Sequence, residues 1–245
     1  MLSISGLEVS FQGSPVLNGL SLSVVAGETV GIIGPNGSGK TTLFNCISGF
    51  VTQRGGTIAL RGEEIQDLQP NARALRGLGR VFQNFGVFRN MTVLENLLLA
   101  LESRSDQMLS ILPWSSGRAQ QKEQALALLR EVRLEEKASL KASSLSGGQM
   151  RLLEIIRTVA AGAEVFLLDE PTAGVSPRMK DDVTGIIRRL QELGKTVMII
   201  EHDITFIERF CTRIVVVNEG RIVLDGTPEQ VRSDEQLKEI YFGRA

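Results

Sequence analysis

Three short apolar runs, each ended abruptly by polar residues, constrain the fold of this chain more than any other feature of its 245 residues. The runs are Val30 to Ile33, Val165 to Leu168 and Val197 to Ile200, and all are rich in Val, Ile and Leu. Apolar segments of this length are typical of strands that are buried on both faces of a parallel sheet. The sequence therefore predicts an α/β fold with a mostly parallel sheet at its core.

Polar residues follow each of these predicted strands directly. Gly34 to Thr42 follow the first run, Asp169 and Glu170 the second, and Glu201 and His202 the third. Ligands of open α/β sheets bind beyond the carboxyl ends of the strands. We therefore expect these three clusters, which are far apart in the sequence, to converge on one site.

The first cluster matches the phosphate-binding pattern G-x-x-x-x-G-K-[ST] and follows a predicted strand, as that motif requires. Gly37 and Gly39 allow backbone N–H groups to turn toward a phosphate, and a helix beginning near Lys40 adds its positive N-terminal end. In this pattern Lys40 contacts the β and γ phosphates of a nucleotide, and the Thr41 hydroxyl binds Mg²⁺. The predicted nucleotide-binding residues of this loop are Gly34, Pro35, Asn36, Gly37, Ser38, Gly39, Lys40, Thr41 and Thr42.

The other two clusters supply groups suited to the hydrolysis of a bound triphosphate. Asp169 is suited to organise Mg²⁺ and its waters. Glu170 is the next residue along the strand end, where a carboxylate can reach an attacking water as a general base. His202, the single histidine of the chain, is predicted to hydrogen-bond the γ-phosphate or that water. We thus expect ATP and Mg²⁺ to bind here.

A second helix start suited to an anion lies in the segment Leu145-Ser146-Gly147-Gly148-Gln149. Ser146 is a typical N-cap residue, and the backbone N–H groups that follow it form a second potential anion site. One triphosphate held at Lys40 hardly needs two helix N-termini from its own chain. We therefore expect this segment to contact a nucleotide through Ser146, Gly147, Gly148 and Gln149.

With this LSGGQ segment placed before an acidic strand end, the sequence closely resembles the ABC ATPase family, and the resemblance covers nearly the whole chain. The resemblance implies that the second anion site serves ATP bound by a partner subunit, either a second copy or a related chain. Two such subunits would then enclose two nucleotides. It also implies transmembrane permease subunits as partners, and hence a location at the cytoplasmic face of a membrane.

The same resemblance assigns roles to residues that the motifs alone leave open. It implies that Gln83 lies in the glutamine loop, which touches Mg²⁺ and the attacking water, and that residues 84–96 line a groove for a coupling helix. Phe11 matches the aromatic that stacks on adenine, and stacking requires only a π face. Two positions depart from the family pattern: Ser176 replaces the usual Asp or Asn, and Met150 replaces a polar residue. With Ser176 at this position, we expect weaker hydrogen bonding across the dimer.

The resemblance and the hydrophobic periodicity together suggest a single ABC domain. Residues 1–92 and 161–245 are expected to form the catalytic α/β core with an N-terminal antiparallel β subdomain, because residues 1–26 and 56–62 contain short β-like stretches. Residues 93–160 have apolar spacing typical of helices and are expected to form an inserted helical subdomain with the signature. Three smaller predictions are a polar surface loop at 103–124, a hairpin turning at 218–220 and a closing helix at 230–242.

Composition argues against nucleic acid as a partner, against a disulfide framework and against secretion. The net charge is −1, and the chain has no dense Lys/Arg block, so we expect no nucleic acid. Cys46 and Cys211 are too few for a disulfide framework and are predicted to be reduced core thiols. The N-terminus lacks a secretory signal, and the apolar runs are far shorter than the roughly 20 residues of a membrane span. We therefore expect a cytosolic protein that reaches a membrane only through a partner.

Similarity to a subgroup of the family points to a cargo. The segments GPNGSGKTTLFNCISGF and FQNFGVFRNMTVLENLLLA and the ending at 240–243 resemble subunits of branched-chain amino-acid importers. Related subunits serve urea or amide uptake and lipopolysaccharide export, which remain alternatives because no residue of this chain need touch the cargo. A non-transport ABC ATPase acting on nucleic acid or ribosomes is a further alternative. A phosphate-loop kinase or GTPase would leave LSGGQ unexplained.

Overall fold

The computed structural model describes residues 1–82, 86–105, 114–235 and 237. In these ranges the chain forms ten strands and eight α-helices. The strands are β1 (Leu2–Phe11), β2 (Ser14–Val24), β3 (Thr29–Ile33), β4 (Gly55–Leu60), β5 (Glu63–Glu64), β6 (Leu78–Val81), β7 (Val165–Asp169), β8 (Thr196–Ile200), β9 (Arg213–Asn218) and β10 (Arg221–Gly226). The helices are α1 (Lys40–Ser48), α2 (Pro70–Leu75), α3 (Val93–Ser105), α4 (Trp114–Glu131), α5 (Gly147–Ala160), α6 (Pro177–Glu192), α7 (Ile204–Phe210) and α8 (Pro228–Ser233).

The central sheet has six strands in the order β10-β9-β3-β8-β7-β6. All its neighbouring pairs are parallel except β10 with β9, which form a hairpin. Every residue of β3, β7 and β8 is buried, which explains why their sequences are apolar without alternation. The prediction of a mostly parallel core sheet is confirmed, and its three sequence-predicted strands lie side by side.

A second, antiparallel sheet has the order β2-β1-β4-β5 and comes from the first 64 residues. Residues of β2 alternate between buried and exposed, so one face carries Leu20, Leu22 and Val24. This face shares a core with Leu43 and Phe44 of α1 and with one face of the central sheet. The antiparallel sheet therefore covers the central sheet on the side of α1.

The opposite face of the central sheet is covered by helices. Leu97 of α3, Leu153 of α5 and Ile187 of α6 share one core with sheet residues such as Phe166 and Ile199. Between residues 93 and 160 the described chain is helical or turn-like, apart from a single bridge of Lys141 to Thr92. The helical insertion is thus present. The boundaries at 93 and 160 between this insertion and the α/β subdomain stay a prediction, because the helices and the sheet share one hydrophobic core.

The prediction of a loop at 103–124 is wrong at both ends of the segment, because α3 continues to Ser105 and α4 begins at Trp114. Ala125 and Leu129 of this helix are buried in the core, whereas Arg118, Ala119 and Gln120 are exposed. A surface helix with a narrow apolar stripe has the same composition as a polar loop, so composition could not separate them. Residues 106–113, also part of that prediction, lie outside the described ranges.

At the C-terminal end the predicted hairpin is confirmed, and the predicted helix has different bounds. Helix α8 begins before Gln230 because Thr227 caps it and Gln230 completes a reciprocal capping box. The helix ends at Ser233 and Asp234 is not helical, whereas residues 235 and 237 are helical again, as the prediction for 230–242 requires. Residue 236 and residues 238–245, including the ending at 240–243, lie outside the described part of the chain.

Both cysteines are free and buried, as expected for core thiols. Burial raises the pKa of Cys46 to about 11 and that of Cys211 to about 12. Across residues 1–82, 86–105 and 114–235, none of the helices has the length and hydrophobicity that a membrane crossing requires.

Candidate active site

The site lies at the carboxyl edge of the central sheet, where β3, β8 and β7 are neighbours. Parallel strands that are adjacent end at the same edge, so the segments that follow them are brought together. Lys40 interacts electrostatically with both Glu170 and Asp169, and Glu170 contacts His202. The structure therefore brings the three predicted clusters together.

The phosphate-loop glycines adopt conformations that favour glycine. Gly37 has φ of 80°, and Gly39, which precedes the first turn of α1, has φ of 105°. A loop in this conformation leads directly into the N-terminus of α1, whose first N–H groups have no partner within the helix. The backbone geometry thus suits an anion at this end of α1.

Lys40, the first residue of α1, is buried and folds back over the loop. Its Nζ atom donates to the carbonyl oxygens of Gly34 and Pro35, both at 2.8 Å, and lies 3.5 Å from Ser38 Oγ. Burial lowers the pKa of Lys40, while the negative charges of Glu170 and Asp169 oppose this change. The ammonium is thus held at the loop, next to the two acidic residues.

A contact that sequence reasoning missed supports the phosphate loop from outside. Gly220, in the β9–β10 turn, donates from its N–H to the Ser38 carbonyl at 3.0 Å and accepts from Asn18 N–H at 3.0 Å. A Cβ at Gly220 would lie 2.2 Å from the Val16 carbonyl oxygen, so only glycine fits. The sequence indicated the turn itself and contained no signal for its contact with the loop.

Asp169 ends β7 and pairs with an arginine that sequence reasoning also missed. Arg80, on the neighbouring strand β6, approaches Asp169 Oδ2 with its Nη2 at 2.7 Å, and the two side chains are only 6% and 3% exposed. The guanidinium also lies 4.9 Å from the centre of the Phe44 ring. Burial raises the pKa of Asp169, whereas Arg80 opposes this shift. Arg80 therefore fixes one oxygen of Asp169.

Glu170 and His202 form a second pair at this edge, with Glu170 Oε1 and His202 Nε2 2.9 Å apart. Glu170 has φ of 48°, a conformation that is uncommon outside glycine and costs on the order of 1–3 kcal/mol. Its N–H donates to the Ile200 carbonyl at 2.9 Å, which holds the residue in place. Strain of this kind is often found where a side chain must be presented to a ligand.

The buried Glu201 serves this edge differently. It accepts hydrogen bonds from the Thr172 N–H and hydroxyl, at 2.9 Å and 2.7 Å. It thereby ties the segment after Glu170 to the end of β8. The sequence placed Glu201 in the cluster without a role, and the structure assigns it to positioning the backbone.

The predicted N-cap at Ser146 is confirmed as a local structure. Ser146 Oγ accepts from Gln149 N–H, and the Gln149 side chain accepts from Ser146 N–H, which together form a capping box. Gln149 also accepts from Lys137 Nζ at 3.0 Å. Among the described residues, no hydrogen bond joins positions 146–149 to the phosphate loop. The two helix N-termini are thus separate potential anion sites.

The remaining predicted residues differ in their placement. Phe11 ends β1 and is 48% exposed, so its ring is accessible. Thr41 is exposed and Thr42 half-buried on the first turn of α1. Ser176 is exposed and precedes α6 without capping it through its side chain. Gln83 lies outside the described residues.

The donor groups present fit Mg²⁺ bound together with a phosphate ligand. Thr41 offers a hydroxyl, Asp169 a carboxylate, and the described residues contain no group of three or more His, Cys, Asp or Glu that could hold a metal by itself. Mg²⁺ is usually bound by one or two carboxylates plus substrate phosphates, and it keeps several waters. The site is therefore suited to a metal that arrives with its nucleotide.

A close contact between α5 and α6 leads to a testable prediction. A Cβ at Gly148 would lie 2.7 Å from Met179 Cβ, so Gly148→Ala should lower the free energy of unfolding by about 1–3 kcal/mol. At Gly185, in the middle of α6, a Cβ would meet nothing within 4 Å. Gly185→Ala is the control and should raise the free energy of unfolding by about 0.5–1 kcal/mol. Denaturant unfolding measures both, and equal changes would contradict the close packing.

The fold and site together define a phosphate-loop nucleotide hydrolase. A strand, a glycine-rich loop ending in Lys-Thr and a helix form one side of the site, and an Asp-Glu pair follows a neighbouring strand. The family model described as ABC transporter matches residues 17–173. The chain belongs to this ABC transporter family, and it is an ATP-binding, ATP-hydrolysing subunit of a transporter.

Individual relatives are similar over nearly their whole length. The chain is 40% identical to the high-affinity branched-chain amino acid transport ATP-binding protein BraF of Pseudomonas aeruginosa, over 100% of this chain and 98% of the relative. It is 39% identical to the lipopolysaccharide export system ATP-binding protein LptB of Haemophilus influenzae, over 99% and 97%. These relatives differ in cargo, so similarity alone does not define what is transported.

Solved structures agree with this assignment. An ATP-binding cassette of an ABC transporter in its ADP conformation matches with a TM-score of 0.85 and 32% identity, over 100% of this chain and 99% of that chain. A dimeric cassette in a post-hydrolysis state, bound to ADP and phosphate, matches with a TM-score of 0.80 and 27% identity, over 93% and 99%. The predicted fold class is thereby confirmed.

Proposed function

We propose that this ATPase energises the import of branched-chain or other hydrophobic amino acids across a membrane. The observation that carries the ATPase part is the contact of Glu170 with His202 beside Lys40 and Asp169, at the carboxyl edge of the sheet. The cargo rests on similarity to a relative that is named for branched-chain amino acid transport. The net charge of −1 argues against nucleic acid as the partner.

In the proposed reaction Lys40 exchanges its carbonyl partners for the β and γ phosphates of ATP, assisted by the N–H groups of residues 36–42. Thr41 and Asp169 would hold Mg²⁺, which would neutralise phosphate charge. Glu170 accepts the proton of the attacking water. His202 Nε2 turns from Glu170 to donate a hydrogen bond to the γ-phosphate or to the water, since a neutral imidazole has a single N–H.

A second subunit completes the proposed site. The N-terminus of α5 is capped by Ser146 and is not hydrogen-bonded to the phosphate loop of its own chain. Its free N–H groups are available to a phosphate of ATP that a partner subunit holds. The similarity to a dimeric cassette bound to ADP and phosphate supports this pairing. In the same scheme, Phe11 would stack on adenine, and Gln83 would contact Mg²⁺ and the water.

The proposed membrane partners are permease subunits that bind the chain at the cytoplasmic face. Residues 84–96 are the proposed groove for a coupling helix. In the described part of this segment Phe88 is 47% exposed, and its ring lies under the guanidinium of Arg157, 4.9 Å from the ring centre. An exposed aromatic of this kind is a common anchor for a partner.

Lipopolysaccharide export is the second candidate, because the relative named for that role is nearly as similar, at 39% identity. The site residues described above serve either cargo, since ATP hydrolysis is the same in both. Only the membrane partners distinguish the candidates.

The test is to purify the chain with its membrane partners and to reconstitute the complex in liposomes with ATP inside or outside. We expect ATP-dependent uptake of labelled leucine, with no uptake by a complex carrying Glu170→Gln. Extraction of lipopolysaccharide in place of leucine uptake would select the export candidate. Recovery with ribosomes or nucleic acid and without membrane proteins would contradict both.

A further inference from the structure

We propose that Glu154 of helix α5 is a positioning residue that couples the N-terminus of α5 to the Asp169 edge of the same chain. Through this coupling, nucleotide bound by a partner subunit alters hydrolysis at this chain's own site. The inference rests on the proposed dimer, in which α5 meets the partner's nucleotide. The contacts that connect the two run from α5 to Phe82, next to β6, and from Arg80 of β6 to Asp169.

Side chains of helix α5 bind the backbone on both sides of residues 83–85. Glu154 Oε1 accepts from Phe82 N–H at 3.1 Å and from Gly86 N–H at 3.0 Å. Arg151 donates to the Phe82 carbonyl, and Arg157 donates to the Gly86 carbonyl. Backbone groups of two loop residues are therefore bound by charged side chains from a single helix, which fixes their position relative to α5.

The charged side chains at the centre of this contact are deeply buried. Arg151 and Glu154 are 1% and 3% exposed, and they form an ion pair with 2.9 Å between Nη1 and Oε2. A buried ion pair usually stabilises a fold no better than well-packed apolar residues of the same volume would. The Arg151–Glu154 pair is therefore better explained by its positioning of the backbone at Phe82 and Gly86 than by a contribution to stability.

The second step of the route runs from Phe82 to Asp169. Phe82 follows β6 directly, and β6 pairs in parallel with β7, whose last residue is Asp169. Arg80 of β6 is bonded to Asp169 at 2.7 Å, and its guanidinium lies 5.4 Å from the Phe82 ring centre. A displacement of Phe82 by α5 would thus be transmitted to the Asp169 carboxylate through the Arg80–Asp169 ion pair.

The first step of the route is the helix itself. Ser146 caps α5 and Glu154 lies eight residues further on, which at 1.5 Å per residue is about 12 Å along the same helix. A helix of this length moves as one body, so a force at its N-terminus reaches Glu154. Binding at the partner's site and hydrolysis at this site should then be coupled, which appears as cooperativity in ATP.

The test compares Glu154→Gln with the parent protein. Glutamine keeps the size of the side chain, but its amide NH₂ must face either Arg151 or the N–H groups of Phe82 and Gly86. All of these groups are donors, so one side of the contact is lost. In the parent we expect a Hill coefficient for ATP hydrolysis approaching about 2, the number of sites in the dimer. In Glu154→Gln we expect it to fall to about 1, with kcat reduced about tenfold, the scale on which substitutions along a connecting network change the coupling of two sites. The affinity of the monomer for a fluorescent ATP analogue should change less than about twofold, because the phosphate loop is untouched.

Two further variants separate positioning from stability. Arg151→Met combined with Glu154→Leu removes both buried charges at similar volume, so loss of the ion pair itself should cost little stability, and the melting temperature should fall only by the share of the backbone hydrogen bonds that are lost. The double variant should still lose cooperativity, because Phe82 and Gly86 lose their partners. Glu164→Gln is the matched control, since Glu164 forms an ion pair with Lys195 at 2.7 Å elsewhere in the chain. It should keep the parent's Hill coefficient and kcat.

The outcomes are distinguishable. Folded Glu154→Gln and double variants that keep the parent's Hill coefficient and kcat would overturn the inference. Loss of cooperativity accompanied by an equal loss of monomer affinity would also overturn it, because it would indicate a general structural defect. A parent protein without ATP-dependent dimerisation would count against the proposed dimer instead of against Glu154.

Discussion

Glu170→Gln is expected to bind ATP as the parent does and to hydrolyse it at least about a hundredfold more slowly, the lower end of typical general-base contributions. Glutamine keeps an oxygen that can face His202, so the contact now seen at 2.9 Å can survive. The amide cannot accept the proton of the attacking water. The loss should therefore fall on kcat and leave the affinity for ATP nearly unchanged.

Phosphate release under saturating ATP measures this loss, and equilibrium binding of ATP in the same buffer measures affinity. The matched control is Glu219→Gln. Glu219 is exposed and has φ of 47°, almost the same backbone conformation as Glu170. Equal turnover by Glu170→Gln and the parent would remove Glu170 from the general-base role.

Ser146→Arg should abolish the ATP-dependent dimer while leaving ATP binding at Lys40 intact. The substitution places a long cation at the N-terminus of α5, where the helix dipole disfavours positive charge, and it removes a cap worth about 1 kcal/mol. It also fills the surface that a partner's phosphate would occupy. Light scattering coupled to gel filtration measures the dimer, best in a Glu170→Gln background that does not consume the ATP.

The control for this experiment reproduces the loss of the cap away from the proposed interface. Thr227 caps α8 with the same reciprocal box, through Gln230. Thr227→Arg should therefore cost similar helix stability and still form the dimer. A dimer of normal affinity in Ser146→Arg would argue against an interface at the N-terminus of α5.

The parts of the site that the sequence predicted depend on local patterns. The strand before Gly34 and the strand before Asp169 are buried on both faces, and such burial leaves an unbroken apolar run in the sequence. Ser146 is recognisable as a cap because capping chemistry is confined to one turn. Glu170 and His202 were expected to meet because neighbouring parallel strands end at one edge.

What the sequence did not predict depends on contacts between distant residues. Arg80 lies 89 positions before Asp169, and no local pattern marks an arginine in a short strand as the partner of a later carboxylate. Gly220 was predicted only as a turn residue, although it supports the phosphate loop at Ser38. The helix from Trp114 was mistaken for a loop because its polar face is wide and its buried stripe is narrow.

The bonds of Lys40 to its own loop have a consequence for ligand choice. The ammonium already satisfies its donors with two neutral carbonyl oxygens and is near a hydroxyl. A ligand displaces these acceptors only if its own acceptors are stronger. Ionised phosphate oxygens form markedly stronger hydrogen bonds than neutral carbonyls. Adenosine has no such oxygens and cannot displace the carbonyl acceptors of Lys40. The loop therefore disfavours the binding of unphosphorylated nucleosides.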